Sequence, residues 1–443
     1  MTKPRLRKSV FITILVALSL VLSQQNPVWA ASANNDWTMF QHDPTHTGYS
    51  TSSASVTSIV QLWNYTTKSV VWASPTISNG YVYIPSDDRS IYCLNALTGA
   101  KIWNYTTRGA VGSSAAIANG LLYVGSYDRN LYCLNASTGQ KIWNFTTGDS
   151  IESCPTVVNG YVYVGSWDGS LYCFDALTGA KTWNFTTGGL VESSPAVTGN
   201  KVYFGSVDKN VYCLDATTGT QVWSYPTGNV VQSSPSVIGD YLYIGSEDNN
   251  LYCLNATSGS KIWNYPTQGW VDSSPAVANG LLYVGAWDGD NNVYCLNASS
   301  GAKIWNYTSP QGVNSSPAIA DGYVYIGCWD GTFFCFNALT GEKMWDYKTQ
   351  NHVNSSPAIV NGVVYVGSWD HTVYAFSGQS AQTTPSPSTS LSPSPILSPS
   401  TSELSTPSPK LEGSFPAEII YLIIAIIAVA IIIVAAMMLR KRK

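Results

Sequence analysis

The stretch Asn95-Ala96-Leu97-Thr98-Gly99-Ala100-Lys101-Ile102-Trp103-Asn104-Tyr105-Thr106 returns along the chain at a nearly fixed interval. Its tryptophan is the clearest marker. Trp63, Trp103, Trp143, Trp183, Trp223, Trp263, Trp305 and Trp345 stand 40 residues apart, with one gap of 42. A period of this size marks a solenoid, an array or a propeller, and it overrides the domain count that 443 residues would otherwise suggest.

One copy shows what repeats. Val191 to Val197 contains Ser193-Ser194-Pro195 and ends at a turn, Gly199-Asn200. Val202-Tyr203-Phe204-Gly205-Ser206 leads to a second turn at Asp208-Lys209-Asn210. Val211-Tyr212-Cys213-Leu214 then passes through Asp215-Ala216-Thr217-Thr218-Gly219 to Gln221-Val222-Trp223. Short β-branched and aromatic runs between Gly, Asn and Asp turns read as strands, here called A to D. Four antiparallel strands in about 40 residues make a propeller blade.

The A-B-C pattern occurs eight times, at Ser74-Pro75, Ser114-Ala115, Cys154-Pro155, Ser194-Pro195, Ser234-Pro235, Ser274-Pro275, Ser316-Pro317 and Ser356-Pro357. The first D strand, around Trp63, precedes every A strand, and no tryptophan follows the last C strand at Tyr374-Ala375-Phe376. A ring resolves both oddities, because the Trp63 strand completes the last blade, three strands plus one, and no edge is left exposed. The expected fold is all-β, an eight-bladed β-propeller of four-stranded antiparallel blades. The longer gap comes from the turn Asp288-Gly289-Asp290-Asn291-Asn292, and Pro85 stands where other copies have Gly.

The flanks are expected to be different in kind. Residues 1–30 read as a signal peptide: Lys3, Arg5, Arg7 and Lys8, an apolar run from Val10 to Leu22, and a cleavage site at Val28-Trp29-Ala30. An uncleaved anchor is the alternative. Residues 31–58 form a polar lead-in with aromatic anchors, expected to pack over the first strands. His42 and His46 are spaced for a metal pair on a helix, but Pro44 between them argues against that helix. The propeller spans 59–378. Residues 379–415 are a Pro/Ser/Thr-rich stalk. Residues 416–439 are long and apolar enough for a transmembrane helix, and the basic tail 440–443 places that end in the cytoplasm. The expected location is therefore a single-pass cell-membrane protein with its propeller outside.

Only 11% of residues are charged and the net charge is -4, so nothing supplies the basic face that nucleic acid requires. Cys93, Cys133, Cys173, Cys213, Cys253, Cys295 and Cys335 share one repeat position. Equivalent strands of neighbouring blades lie too far apart for bridging, so these are expected to be buried apolar side chains. Cys154 and Cys328 replace Ser and are left as free thiols.

The segment Asn95 to Trp103, its copies such as Asp175-Ala176-Leu177-Thr178-Gly179 with Trp183, and the lead-in Trp37-Thr38-Met39-Phe40 resemble the tryptophan-docking repeats of PQQ-like, quinoprotein-type β-propellers. The likeness covers residues 37–378. It implies that each repeated tryptophan docks on the neighbouring blade, a role suited to a flat side chain with one N–H to satisfy. The family holds dehydrogenases with pyrroloquinoline quinone and calcium at the axis, and cofactor-free scaffolds such as the propeller of outer-membrane protein assembly. Fold does not choose between them. This sequence has no adjacent cysteines, no Cys-x-x-Cys-His haem site and no long insertions, so it is closer in kind to the scaffolds. No cofactor and no bound metal are expected; the quinone with calcium is the alternative.

If repetition is explained by packing, function belongs to the positions that vary. The residue before each Ser-Ser-Pro varies most: Trp72, Gly112, Glu152, Glu192, Gln232, Asp272, Asn314 and Asn354. These are expected to ring the channel mouth. The position before the B–C turn acid varies too, and gives Trp167, Trp287, Trp329 and Trp369, with Trp270 nearby. Aromatic faces among hydrogen-bonding groups suit a protein or glycan ligand. The bland alternative is that they cover blade ends. The turn acids Asp88, Asp128, Asp168, Asp208, Asp248, Asp288, Asp330 and Asp370 are expected to cap hairpins. Asp288, Asp290 and Asn292 are spaced like half a calcium loop but lack its downstream Glu. Asn64, Asn104, Asn144, Asn184 and Asn306 are the candidate N-glycosylation sites, on outer strands. The expected function is a cell-surface binding or scaffold module without catalysis; the rival is a quinone-dependent dehydrogenase or an acid-pair carbohydrate-active enzyme using Glu152 and Glu192.

Overall fold

The structure is a computed structural model, and it describes residues 36–52 and 59–378. The signal peptide, the stalk, the membrane helix and the basic tail expected from sequence lie outside the described residues. Eight sheets are present, and each propeller blade is four antiparallel strands. In blade 4 the strands are Ala196–Thr198, Lys201–Gly205, Asn210–Asp215 and Gln221–Pro226.

The ring closes as the strand count requires. Ala358–Val360, Val363–Gly367 and Thr372–Gly378 form blade 8 together with Ile59–Thr66, and Trp63 pairs opposite Ala375. Each D strand carries a one-residue irregularity just before its tryptophan: Cys173 faces Trp183 while Phe174 faces Lys181. This bulge turns the indole toward the next blade. It leaves the preceding residue outward, so Ile102, Ile142 and Val222 are exposed.

Each docking tryptophan meets two partners across the seam. Trp143 donates its Nε1–H to the Ala176 carbonyl at 3.0 Å, and the Tyr123 hydroxyl donates to the same oxygen at 3.0 Å. A Cβ on Gly179 would lie 2.6 Å from the Trp143 ring, and its φ is +70°, so only glycine suits this turn. Trp63, Trp103, Trp183, Trp223, Trp263 and Trp305 repeat the bond to the next blade's alanine. Trp345 is the exception. Blade 8 has no docking turn among the described residues, and the Trp345 Nε1 and Tyr325 hydroxyl are both buried without a partner there.

A second ring of bonds surrounds the axis. The backbone N–H of Ser74 donates to Ser114 Oγ at 2.8 Å, and the pattern continues through Cys154, Ser194, Ser234, Ser274 and Ser316 to Ser356. Ser356 N–H closes the circle on Ser74 Oγ at 3.0 Å. Cys154 takes part through its sulfur, which accepts from Ser114 N–H at 3.3 Å. All nine cysteines are free and buried, as small apolar side chains should be.

The lead-in does more than pack over the first strands. It crosses the whole ring beside the A strands. Trp37 bridges Ile77 of blade 1, and the carbonyls of Thr38, Pro44, Thr45, Thr47 and Gly48 accept from Ile117, Val197, Val237, Val277 and Ile319 in blades 2, 4, 5, 6 and 7. Tyr49–Ser50 adds a parallel strand to blade 7, and Ser52 accepts from Asn361 N–H of blade 8. Unpaired A-strand N–H groups at the axis demand acceptors, and this segment supplies them.

Candidate functional site

The A strands carry the variable residues to the axis. Trp72, Gly112, Glu152, Glu192, Gln232, Asp272, Asn314 and Asn354 all line one axial cavity of about 140 Å³. The Ser/Cys ring forms its deeper wall, and Phe40 of the lead-in lies at the far end. Phe40 was read from the sequence only as part of the aromatic-anchored lead-in; its place at the axial cavity was not.

The acids of this cavity are half-buried together, without a cation among the lining residues. Burial, reinforced by Glu152, Asp272 and Glu247, pushes the Glu192 carboxyl up to about 7. Burial also lifts Asp272 to about 7, against the stabilising bond from Trp287 Nε1–H to its Oδ2 at 2.7 Å. Glu152 is raised by burial and by Asp87, partly offset by the Tyr127 hydroxyl. Asn354 is 8% exposed, and neither its Nδ2 nor its Oδ1 has a partner among the described residues.

Above the cavity the B–C turns and the A-strand lead-ins share one rim, and its aromatics form an arc. Trp270 meets Trp287 edge-on at 5.6 Å, Trp287 stacks on Trp329 at 5.3 Å, and Trp329 stacks on His352 at 4.8 Å. His352 meets Trp369 at 5.0 Å, and Trp369 meets Trp72 at 5.0 Å. Blades 6, 7, 8 and 1 thus present contiguous rings. Trp167 stands apart, against Tyr127 at 5.5 Å. The Nε1 groups of Trp167, Trp329 and Trp369 have no partner among the described residues. His352 was missed from the sequence because it sits at a D–A position with no repeat signal.

The turn acids bridge blades. Asp88 Oδ2 accepts from the Tyr92 hydroxyl at 2.6 Å and from Lys68 N–H, beyond the D strand of blade 8, at 2.9 Å. In blade 6 the role falls to Asp290, not to Asp288 as the alignment of copies suggested. Asp290 accepts from Gln268 N–H and Tyr294, because the two-residue insertion shifts the turn and leaves Asp288 exposed. In blade 7 Phe334 replaces the tyrosine, and Lys348 Nζ approaches Asp330 at 2.9 Å instead. Asp290 is thus committed to turn and seam bonds, and among the described residues no group of three or more His, Cys, Asp or Glu is placed to hold a metal ion.

His42 and His46 do not converge. His42 meets Asp43, whereas His46 is fully buried, with Nδ1 on the Pro235 carbonyl and Nε2 near Thr156. Burial depresses His46 to about 4. Asp43 lies near 2; burial opposes this, but bonds from His42, Thr45 and Thr47 outweigh it. Asn64, Asn104, Asn144, Asn184 and Asn306 are exposed on outer strands. A larger groove of about 590 Å³, at the opposite end of the A strands between blades 3 and 4, is lined by Pro44, Tyr161 and Val197 among others. It is built largely from repeat positions, so the axial cavity, where the copies differ, is the stronger candidate.

Tryptophan docking, a closed Ser/Cys ring and an axial cavity define the class: an eight-bladed propeller of the PQQ-like type. The family model described as outer membrane protein assembly factor BamB matches residues 60–150, 87–229, 207–327 and 289–409, and the chain belongs to that family. No curated protein matches the sequence. BamB from Moraxella catarrhalis superposes with a TM-score of 0.64 at 18% identity, over 72% of this chain and 100% of that one. A europium-containing methanol dehydrogenase gives 0.68 at 15% identity, over 81% and 100%. A quinohemoprotein alcohol dehydrogenase from Comamonas testosteroni gives 0.68 at 17% identity, over 81% and 83%. These likenesses concern the fold.

Proposed function

We propose that the propeller is a cell-surface binding or scaffold module, held outside the membrane by its stalk and C-terminal span, whose rim takes a protein or glycan ligand. The observation that carries this is the aromatic arc from Trp270 to Trp72. Stacked rings offer large rigid contact area, and unpartnered indole N–H groups each cost about 1–3 kcal/mol unless an acceptor arrives. The scaffold BamB has the same fold. The apolar segment 419–439 and the basic tail support the anchored location.

The axial residues do not fit pyrroloquinoline quinone. Its tricyclic ring carries three carboxylates, while the cavity is about 140 Å³, well under the roughly 300 Å³ of an ordinary ligand pocket. Its lining offers carboxyls and no Lys or Arg, so the charges repel. The raised Glu192 beside Glu152 is the one feature favouring the rival acid-pair hydrolase.

The test uses the full chain in detergent, screened against glycans and cell-envelope fragments. Trp287→Ala, Trp329→Ala and Trp369→Ala are expected to lose the ligand with unchanged far-UV dichroism. Unaltered binding would make the arc a mere cover. Saturable quinone absorbance with calcium, or hydrolysis of a screened glycan lost in Glu192→Gln, would overturn the non-catalytic reading.

A further inference from the structure

The axial cavity and the rim are distinct in chemistry. The rim is flat and aromatic, whereas the cavity is narrow, acidic and rich in carboxamides. Glu152, Glu192 and Asp272 approach it from blades 3, 4 and 6, and Gln232, Asn314 and Asn354 from blades 5, 7 and 8. The lining includes no lysine, arginine or histidine, so the protein itself leaves the carboxyls without a counter-charge in the cavity.

Asn354 gives the independent sign of a ligand. Its residue is buried to all but 8%, it lines the cavity, and both ends of its carboxamide lack partners among the described residues. Asp272 Oδ1 is likewise buried and unpartnered. Buried polar groups are ordinarily hydrogen-bonded, so two orphan acceptors in one small acidic cavity, Asn354 Oδ1 and Asp272 Oδ1, point to something that donates hydrogen bonds there. The indole of Trp72, braced by Trp369 at 5.0 Å, adds an aromatic face to the wall. Carboxylates, carboxamide oxygens and an indole face together select an organic cation.

Size and spacing narrow the choice. At about 140 Å³ the cavity is well under the roughly 300 Å³ of an ordinary ligand pocket, which suits the end of a slender linear chain better than a substituted pyranose ring. The carboxyls are not clustered for a metal ion, but an ammonium accepts longer, directional bonds from a wider ring.

We propose that the axial cavity is a recognition pocket for a primary ammonium on a linear chain, the end of a lysine side chain presented by a protein bound at the rim. The inference rests on the binding-module reading and names the partner's chemistry. The ammonium would donate to Asn354 Oδ1 and to the carboxylates that line the same cavity, while its methylenes lie against Trp72.

The test is calorimetric titration of the full chain in detergent with n-butylammonium chloride, a probe of the side chain alone. Saturable binding is expected for butylammonium and for Nα-acetyl-lysine methylamide, and none for 1-butanol. Glu192→Gln is expected to weaken it roughly tenfold or more, as removal of a buried charge partner should. Asn354→Leu, which keeps the side chain's shape but removes the carboxamide oxygen, is expected to weaken it markedly, with dichroism as the folding control. Equal binding of butanol, no binding of butylammonium, or undiminished affinity in Glu192→Gln overturns the proposal. Calcium displacing the amine would make the cavity a metal site. Glucosamine binding as well as butylammonium would make the source an amino sugar and defeat the protein assignment. Trp329→Ala and Trp167→Ala test the rim separately: rim ligand lost there with butylammonium silent on wild type refutes the pocket and leaves the binding module standing.

Discussion

The seam between blades 7 and 8 should respond differently from the others to the same substitution. Trp305 and Trp345 are matched in burial, each 8% exposed, and each packs on its own blade's tyrosine at 5.9 Å. Trp305 donates to the Ala338 carbonyl at 2.9 Å, whereas Trp345 has no acceptor among the described residues. Replacing either by Phe removes the same part of the ring, so the packing losses largely cancel. Trp305→Phe also loses a hydrogen bond worth about 1 kcal/mol net. It does not orphan Ala338, whose oxygen still accepts from Tyr283 at 3.1 Å. Trp345→Phe loses no bond and removes a buried donor that costs about 1–3 kcal/mol. Trp305→Phe should therefore be the more destabilising, by between about 1 kcal/mol from the bond alone and about 4 kcal/mol if relief of the orphan is felt in full. Urea unfolding of the full chain by far-UV dichroism, with unchanged slope, reads the difference as a shift in midpoint. Equal shifts, or a larger one for Trp345→Phe, would refute the reasoning and mean that a residue beyond Gly378 completes the seam.

Gly179→Ala should cost about 2 kcal/mol or more, from both the positive φ and the Trp143 contact; an unchanged melting temperature would contradict it. Ser74→Ala strips Ser356 N–H of its acceptor and should cost about 1–3 kcal/mol, with faster exchange of that amide; Ser74→Cys should preserve it, as Cys154 does. Glu192 titrates higher in the fold than its ordinary 4.5, so stability falls as pH rises from there through about 7. Glu192→Gln should thus stabilise the protein at pH 8, by on the order of 1 kcal/mol, and leave it little changed at pH 4, and the reverse pattern would be decisive against a shared acidic cavity. His46 titrates lower than its ordinary 6.5, so the unfolded chain binds the extra proton and stability is lost as pH falls from there toward about 4; His46→Gln should flatten that limb in melting curves.

What could be read from the sequence was whatever repeats. The period gave the blade, and the misplaced Trp63 strand gave the closure, because both follow from counting. The variable residues before Ser-Ser-Pro were placed on the axis by the same register, and all of them line the cavity. What could not be read was what happens once. The lead-in has no period, so its course across the A strands is set by carbonyls meeting lone N–H groups, which residue types do not reveal. The capping acid of blade 6 moved to Asp290 because backbone bonds from Gln268 and contact with Tyr294 decide the turn, not alignment to Asp288. Trp345 looks like its seven counterparts; what sets it apart is that blade 8 has no docking turn among the described residues.

The departures from symmetry are not spread evenly. A ring held only by packing has no reason to treat one sector differently. Yet blade 6 carries the inserted turn, blade 7 has Phe334 for tyrosine and Cys328 for serine, and at the seam to blade 8 Trp345 Nε1 and the Tyr325 hydroxyl have no partner among the described residues. Cys154 in blade 3 is an exception; its sulfur keeps the ring bond, just as the Cys328 sulfur keeps a bond to the Gln311 carbonyl at 3.3 Å. Each forgone bond costs about 1 kcal/mol. The same sector holds the arc from Trp270 through His352 to Trp72, and Asn354 with its orphaned carboxamide. The altered repeat positions and the half-buried aromatic arc fall on the same blades. That coincidence is what a binding site on an otherwise uniform ring should leave, and it supports the proposal that blades 6 to 1, not the docking tryptophans, take the ligand.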